Sequence, residues 1–448
     1  MTLDPAVFKA YDVRGVVPSQ LDADGAYRIA RAFVHVFEPK RMAIGHDMRL
    51  TSPELVEAAV RGATDAGADV LEIGLVGTEM LYHAVGANDL DGGIMVTASH
   101  NPGEYNGMKI VRRGALPVGG DSGLDKVRDI AVAPELPASP RTGTRSPLDV
   151  FDTFTEKVLS FIDEERLKPL KVVLDGANGM AGTMLERVLP HLPIDAIPCY
   201  MEPDGSFPHH QPNPLLEENR QFIIDRVKSE GADLGIAWDG DADRCFFIDD
   251  EGEFVPGDFV TALLAQAMLE KAPGSTVLYD LRASRAVADV VEAAGGQAVR
   301  SRVGHAFIKL RMREEDAVFA GEVSGHYYFR DFYGVDTGIV PALVMLELIS
   351  QKGGSLAAMM RPLRERYHLS GEINTPVKDV AVKLQELKER FGSGAEITHL
   401  DGVSIDFPDW HFNVRPSNTE PLLRLNLEAD SAEAMERHRD EVLAVIRA

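Results

Sequence analysis

Four short stretches of this chain carry residues whose types and spacing can do chemistry. Thr97-Ala98-Ser99-His100-Asn101-Pro102 follows Gly92-Gly93-Ile94-Met95-Val96, an apolar run short enough to be a buried strand. A strand that ends in small, polar and Pro residues delivers a tight loop at the carboxyl edge of a sheet, where α/β folds place ligands. Ala98 leaves Ser99 unobstructed, and His100 can donate or accept a proton beside it, the arrangement of an activated nucleophile. The competing reading of the hexapeptide is a strand-to-helix turn with Ser99 as N-cap.

Asp239-Gly240-Asp241-Ala242-Asp243-Arg244 follows a second buried-strand run, Leu234-Gly235-Ile236-Ala237-Trp238. Carboxylates at every second position can aim at one point and offer a hard cation an all-oxygen site. An EF-hand loop would need Gly at its sixth position and Glu at its twelfth, where Arg244 and Asp250 stand. Three Asp with open coordination positions suit Mg²⁺, which completes its octahedron with phosphate and water. Arg244 then meets a phosphate oxygen beside the metal. An acidic surface turn is the alternative.

Ala320-Gly321-Glu322-Val323-Ser324-Gly325-His326 also follows an apolar run, Ala317-Val318-Phe319. Glu322, Ser324 and His326 are donors and acceptors of the kind that grip sugar hydroxyls, although a tight hairpin reads equally well. Just before it, Val303-Gly304-His305-Ala306-Phe307-Ile308-Lys309 brings His305 and Lys309, which also read as an exposed helix start. Last, Arg415-Pro416-Ser417-Asn418-Thr419-Glu420-Pro421 lies between strand-like runs at 410–414 and 422–427. A guanidinium fork, two hydroxyls, an amide and turn N–H groups make a phosphate cradle. A serine nucleophile, a cation loop, a hydroxyl-gripping loop and a phosphate cradle together fit phosphoryl transfer on a phosphosugar.

The elements that must position these loops repeat. A strand at 41–45, a helix from Ser52 to about Ala66 and a strand at 68–73 recur as 171–176, 180–189 and 194–197, then as 276–280, 285–294 and 297–299. Ser52 with Pro53 is a helix start of the usual kind. Three strand–loop–helix–strand units predict three related α/β domains, each with its ligand edge at the first loop. The run 131–147 is rich in Pro, Ser and Thr and reads as a linker.

A chain of 448 residues is too long for one core and predicts three or four domains. Its longest apolar stretch, 339–349, contains Pro341 and Glu347 and is too short to span a bilayer. The N-terminus has neither a basic region nor an apolar one, so no signal peptide is expected, and no membrane partner. Cys199 and Cys245 make no disulfide framework, which fits a cytoplasmic location. The net charge of −24 argues against nucleic acid, and an anionic small substrate then requires positive groups that converge locally.

On these four motifs, matched in order from Phe8 to Leu427, the chain resembles the α-D-phosphohexomutase family, and within it the bacterial phosphomannomutase/phosphoglucomutase group. The resemblance implies an α/β fold of four domains in a heart-shaped arrangement: three related α/β domains with mixed sheets and a smaller, mobile C-terminal α+β domain. The expected divisions are 1–145 with the phosphoserine loop, 146–252 with the metal loop, 253–366 with the sugar loop and 367–448 with the phosphate loop. It implies that Ser99 is carried as phosphoserine and joins Asp239, Asp241 and Asp243 as a ligand of Mg²⁺. Phosphoserine donates to a hexose phosphate, giving a 1,6-bisphosphate that turns over in the site, and a hexose 1,6-bisphosphate acts as activator. Arg415, Ser417, Asn418 and Thr419 then bind the spectator phosphate, and Glu322 and Ser324 hold ring hydroxyls with His326 nearby. Tyr11, Arg14, His100, Lys109, Arg244, Arg282, His305 and Lys309 line the site, Lys109 as candidate general acid/base. A monomer or weak dimer is expected.

Departures from the family's pattern are His46 in Gly45-His46-Asp47, Gly77-Thr78-Glu79 in place of Pro-Thr-Pro, and Arg282 in place of Lys. Val323 is like the mannose/glucose enzymes, whereas phosphoglucosamine mutases carry Gln there. Phosphoglucosamine mutase, a metal-dependent sugar phosphatase and a non-catalytic sugar-phosphate sensor are the alternatives; the presence of Ser99 with all three Asp argues against the sensor.

Overall fold

One local event recurs three times along the chain, and a carboxylate fixes it each time. Strand β2 (Arg41–His46) runs into Asp47, whose Oδ1 accepts the backbone N–H of Arg49 at 3.0 Å. Strand Lys171–Asp175 ends on Asp175, whose Oδ1 accepts the N–H of Ala177 at 3.0 Å. Strand Thr276–Asp280 ends on Asp280, which takes the N–H of Arg282 at 2.8 Å. An Asp that bonds the amide two residues on makes an Asx turn and steers the chain off the sheet. Helices follow at Ser52–Asp65 (α2), Ala181–Leu185 and Arg285–Ala293. Each returns to a parallel strand: Asp69–Leu75 (β3), Asp195–Cys199 and Gln297–Ser301. The second helix is shorter than the expected 180–189, giving way to a 3₁₀ turn at Leu189–His191, where Pro190 lacks the N–H a continuous helix needs.

A third strand then lies on the other side of the first, again parallel. β4 (Gly92–Val96) pairs with β2, Leu234–Trp238 with Lys171–Asp175, and Phe319–Gly321 with Thr276–Asp280. In the first two repeats the chain doubles back, β5 (Tyr105–Arg112) antiparallel to β4 and Cys245–Asp249 antiparallel to Leu234–Trp238, so these sheets are mixed. β4 and Leu234–Trp238 are buried at every position, which is why both read as unbroken apolar runs. The run 131–147 is not the free linker its composition predicts. Arg145–Pro147 pairs parallel to β3, and the Thr144 N–H bonds Asp69 at 2.8 Å.

The computed structural model describes residues 3–416 and 422–448. The chain forms two compact units, Met1–Phe254 with Ser324–Leu356, and Val255–Val323 with Ala357–Ala448. In the first, helices α1 (Ala23–Phe37) and α2 pack on the sheet through Ile29, Phe33, Leu55, Ile44 and Ile94. Val173, Ile223, Val227, Phe246 and Ile248 form a second cluster. Helix Ile339–Lys352 is buried from Ile339 to Ser350; Pro341 falls in its first turn, where no N–H is needed, and the buried Glu347 accepts the N–H of Asp163 at 3.0 Å. Among the described residues no helix is long and apolar enough to cross a membrane. In the second unit the C-terminal part is α+β. Strands Val403–Asp406, Trp410–Pro416, Leu422–Ala429 and Ile373–Pro376 pair antiparallel, and helices Val380–Phe391 and Ala432–Arg447 close on Ile405, Phe412 and Leu425.

Strand β1 (Val13–Val16) joins the first sheet antiparallel to β5, with Gly107 opposite Arg14. A Cβ at Gly107 would lie 1.9 Å from the Val13 carbonyl oxygen, which is backbone and cannot step aside. Gly107→Ala should therefore lower stability by about 3 kcal/mol, read from the urea midpoint. A second test uses pH. His83 is buried, its Nε2 2.9 Å from the Thr153 hydroxyl and its Nδ1 3.1 Å from that of Tyr333. Burial, helped by Lys157, lowers its pKa from 6.5 to about 4. The unfolded chain thus takes up this proton before the folded one does. Stability is whole above pH 6.5 and drains as pH falls toward about 4, at up to about 1.4 kcal/mol per pH unit. His83→Gln should flatten that limb of the curve of urea midpoint against pH.

Candidate active site

The loop from Thr97 to Glu104 joins β4 to β5, two antiparallel strands, so there is no helix for Ser99 to cap. Ser99 instead holds the left-handed conformation, φ +52, which costs a residue with a β-carbon of order 1–3 kcal/mol and needs support from its neighbours. Its N–H donates to Thr97 Oγ1 at 2.9 Å, and its hydroxyl donates to Asp239 Oδ2 at 2.7 Å. His100 Nδ1 is 3.1 Å from the same hydroxyl. Burial, with the charges of Arg244 and Arg14, pushes the imidazole well below its usual pKa, so it is neutral at neutral pH. Close approach of the two loops depends on a missing side chain, since a Cβ at Gly240 would lie 2.4 Å from the Ser99 carbonyl oxygen.

Asp239, Asp241 and Asp243 are fully buried and bring ligand oxygens within 4.8 Å of one another. Burial raises Asp239 most; Arg244 opposes it, the charges of Asp241 and Asp243 add to it, and the pKa is pushed up to about 7. Arg244 Nε donates to Asp239 Oδ2 at 3.0 Å, so its guanidinium shares an acceptor with Ser99. Burial and Asp243 would raise Asp241 too, yet Lys109 and Thr78 hold it below the usual carboxylate range. Lys109 Nζ, delivered by β5, donates to Asp241 Oδ2 at 2.6 Å and also to Asp243. Burial works against its charge, but the two carboxylates outweigh that and raise its pKa. It is a charged donor here. Asp241 Oδ1 is buried with no hydrogen-bond donor on it. That orphaned oxygen and an all-carboxylate donor set fit a hard divalent cation.

The first unit also holds Tyr11, Arg14, Ser324 and His326 of the expected residues. Arg14 donates to the Ala98 carbonyl at 3.0 Å and to the Asn101 side chain, and Tyr11 lies half-buried ahead of it. His326 Nδ1 is 2.9 Å from Ser324 Oγ, and its Nε2 is 3.7 Å from Asp243 Oδ1. The second unit holds the rest. Arg282 lies on Asp280 at 3.0 and 2.8 Å, and the buried Glu322 accepts the Gly304 N–H at 3.1 Å. His305 opens helix His305–Glu314, and Lys309, one turn on, is fully buried rather than on an exposed helix start. Arg415, next to last in its strand, is 3.5 Å from Glu372, which is also 3.4 Å from Arg282 and 3.1 Å from Arg424. Three guanidiniums on one carboxylate are the local positive charge that a chain of net −24 needs for an anionic substrate. Ser417, Asn418 and Thr419 lie outside the described residues.

Arg49, Thr78 and Glu372 carry no functional mark in the sequence one at a time. The Thr78 hydroxyl donates to Asp241 Oδ2 at 2.5 Å and its N–H to the Asp241 carbonyl at 3.1 Å. Arg49 is bound to the Ser99 loop. A spacing could have found it: Asp12-x-Arg14, Asp47-x-Arg49 and Asp280-x-Arg282 are all ion pairs, at 2.8, 3.2 and 2.8 Å.

Family models describing the phosphoglucomutase/phosphomannomutase fold match in series along this chain. The α/β/α domains I, II and III match residues 5–135, 151–252 and 256–367, and the C-terminal domain matches 372–445. The chain belongs to the phosphoglucomutase/phosphomannomutase family. It is 45% identical over 449 residues to a protein of Xanthomonas campestris named for phosphohexose mutases, with all of both chains covered. It is 43% identical over 451 residues to a phosphomannomutase of Escherichia coli, covering 98% of this chain and 99% of the other. The crystal structure of a family protein from Burkholderia thailandensis superposes with a TM-score of 0.90 at 33% identity, over 99% of this chain and 98% of that one.

Thr78 is, beside Lys109, a donor that holds Asp241 in place. Thr78→Val keeps the shape but removes the hydroxyl, so half-maximal activation should require about 10-fold more divalent cation, with folding unchanged. A Mg²⁺ titration of turnover checks this, and an unchanged requirement would show that Thr78 does not orient the carboxylate.

Proposed function

We propose that the enzyme interconverts hexose 6-phosphate and hexose 1-phosphate, with mannose or glucose as the hexose, through phosphoserine at Ser99 and a 1,6-bisphosphate intermediate. The observation that carries this reading is the Ser99 hydroxyl 2.7 Å from Asp239 within the buried group of three carboxylates. When Ser99 attacks a phosphoryl group, its proton has an acceptor in place on Asp239. When the sugar hydroxyl attacks phosphoserine, its oxygen forms the new P–O bond as the P–O bond to Ser99 breaks; Oγ keeps the electron pair, and the proton that the sugar hydroxyl loses is, in net, the one that Oγ gains, with the charged Lys109 among the site's donors. Asp239, Asp241, Asp243 and the Ser99 phosphate would hold Mg²⁺, which when bound would neutralise charge on the moving phosphoryl group.

The spectator phosphate goes to Arg415, Ser417, Asn418 and Thr419, with Arg282 and Arg424 adding to the positive field. Glu322 and Ser324 hold ring hydroxyls. Tyr11, Arg14, His100, Arg244, His305, Lys309 and His326 complete the lining. The divisions at 145/146, 252/253 and 366/367 give each of four domains one loop of the site. A hexose 1,6-bisphosphate primes the enzyme, which works in the cytoplasm as a monomer or weak dimer. Relatives named phosphomannomutase support mannose over glucosamine, and parallel assays on mannose, glucose and glucosamine 1-phosphates decide the preference.

The purified enzyme should carry phosphate on Ser99, seen by intact mass and peptide analysis. Dephosphorylated enzyme should regain activity when hexose 1,6-bisphosphate is added. Ser99→Ala should lose nearly all turnover while substrate affinity stays within about three-fold, because binding rests on groups that touch the spectator phosphate and the ring. No phosphate on Ser99 and steady release of inorganic phosphate would replace the mutase with a phosphatase.

A second expectation concerns Glu372, whose carboxylate occupies the three arginines that the spectator phosphate needs. Glu372→Gln should lower the KM for hexose phosphate by up to about five-fold, the worth of a partly exposed ion pair. A raised KM would mean that Glu372 orients the arginines instead of competing with the substrate.

A further inference from the structure

We propose that Arg49, held by Asp47, is a positioning residue for phosphoryl transfer at Ser99. The inference rests on the mutase reading above. The Arg49 guanidinium is 0% exposed and spends its donors on one loop. Nη2 donates to the carbonyls of Ser99 at 2.7 Å and Asn101 at 2.6 Å; Nη1 donates to those of Pro102 at 2.8 Å and Tyr105 at 2.9 Å. Two nitrogens thus bridge four carbonyls of the segment that carries the nucleophile.

The guanidinium is itself fixed from three sides. Asp47, fully buried, pairs with Nε at 3.2 Å, and its other oxygen accepts the Arg49 N–H and the Ser52 hydroxyl at 2.6 Å. Asn106 Nδ2 donates to that hydroxyl at 3.0 Å. The Phe207 ring lies against the guanidinium, 5.3 Å from carbon to centroid. Arg49 touches neither the Ser99 hydroxyl nor the carboxylate group. What it fixes is the carbonyl of a residue in the left-handed region, and so the direction of Oγ toward Asp239. A planar fork can bridge four carbonyls, and an ammonium cannot. Burial lowers the Arg49 pKa while Asp47 works to restore it, so removing either partner would leave the other charge buried and alone.

The test compares Arg49→Lys and Ser52→Ala with wild type. Ser52→Ala is the milder change, taking one donor from Asp47 and leaving every charge in place. Four quantities are measured: kcat, KM, the single-turnover rate at which Ser99 takes phosphate from hexose 1,6-bisphosphate by intact mass, and folding by circular dichroism. Arg49→Lys should lower kcat and the Ser99 phosphorylation rate together by about 100-fold, the penalty for misplacing a reacting group by about 1 Å. Ser52→Ala should lower both by about 10-fold, and in both variants KM should stay within about three-fold, since only the transition state is affected. A folded Arg49→Lys whose kcat is within about three-fold of wild type overturns the proposal. If Arg49→Lys does not fold, Ser52→Ala decides alone, and unchanged kcat and phosphorylation rate in that variant overturn it. Should wild type show neither Ser99 phosphate nor mutase turnover, the mutase reading fails and takes this inference with it, an outcome distinct from an active wild type beside an unimpaired variant.

Discussion

Three carboxylates buried within reach of one point are the constraint that the first unit is built around. Ionised Asp239, Asp241 and Asp243 repel one another in a low dielectric, and burial alone would neutralise them by protonation. Asp239 is already pushed partway there, its pKa raised to about 7, whereas Asp241 is held down by Lys109 and Thr78. The group therefore persists only with cations pressed against it. Lys109 reaches it from β5, Arg244 folds back on Asp239 from the end of the same loop, and an orphaned Asp241 oxygen is left for a metal. Breaking one partner of such a set is costlier than never having built it, which ties the loop's geometry to its charge.

The scaffold meets that constraint by using one topology several times. In each α/β repeat the first strand lies between the second and the third, and an Asp at its end makes the Asx turn. The candidate residues sit on the loop after the third strand, and not on the first loop that the repeat pattern predicts. Ser99 follows β4, the three Asp follow Leu234–Trp238, and Glu322 follows Phe319–Gly321. A central third strand buried on both faces gives each loop a rigid anchor, so a residue in a strained conformation, such as Ser99 at φ +52, can be sustained there. Repetition of a stable unit thus provides several reactive loops from a single solution to strand pairing and burial.

How much of this was legible in the sequence follows from the same physics. Buried parallel strands are unbroken apolar runs, and the loops that end them stand out because Ser, Asp, Gly and Pro cannot be mistaken for core. For that reason the three repeats, the Ser99 loop and the Asp loop are visible without a structure. The hexapeptide's alternative, an N-cap, fails for a reason outside the hexapeptide: the next element is the antiparallel β5 and not a helix. Composition marks 131–147 as a linker but does not show that its end, Arg145–Pro147, joins the sheet, because that edge pairing depends on β3 having an open side. The alternative for Lys309, an exposed helix start, fails because the side chain is buried where a charged residue one turn into a helix is normally exposed. Arg49, Thr78 and Glu372 were hidden more deeply. The contacts that matter span long stretches of chain, as in Arg49 with Ser99, Thr78 with Asp241 and Glu372 with Arg282, and no local pattern reports the far partner of such a contact.

The local pattern that does report something is Asp-x-Arg, and it bears on how so acidic a chain handles an anionic substrate. At a net charge of −24 the long-range field repels a sugar phosphate, so any cation meant for it must be strong at short range and fixed in place. Placing Asp two residues before Arg does the fixing, since the carboxylate holds the guanidinium by side chain and, at Asp47 and Asp280, caps the backbone turn between them. Of the three pairs, Asp12–Arg14 and Asp47–Arg49 aim their guanidiniums at the Ser99 loop, while Asp280–Arg282 aims its own at the cluster around Glu372. A free arginine would lose about 2 kcal/mol of rotamer entropy on meeting its target; here folding has already settled that cost, and the cation is presented in one orientation. The acidity that repels an anion at a distance therefore supplies, in these few carboxylates, the means of fixing cations in one orientation at short range.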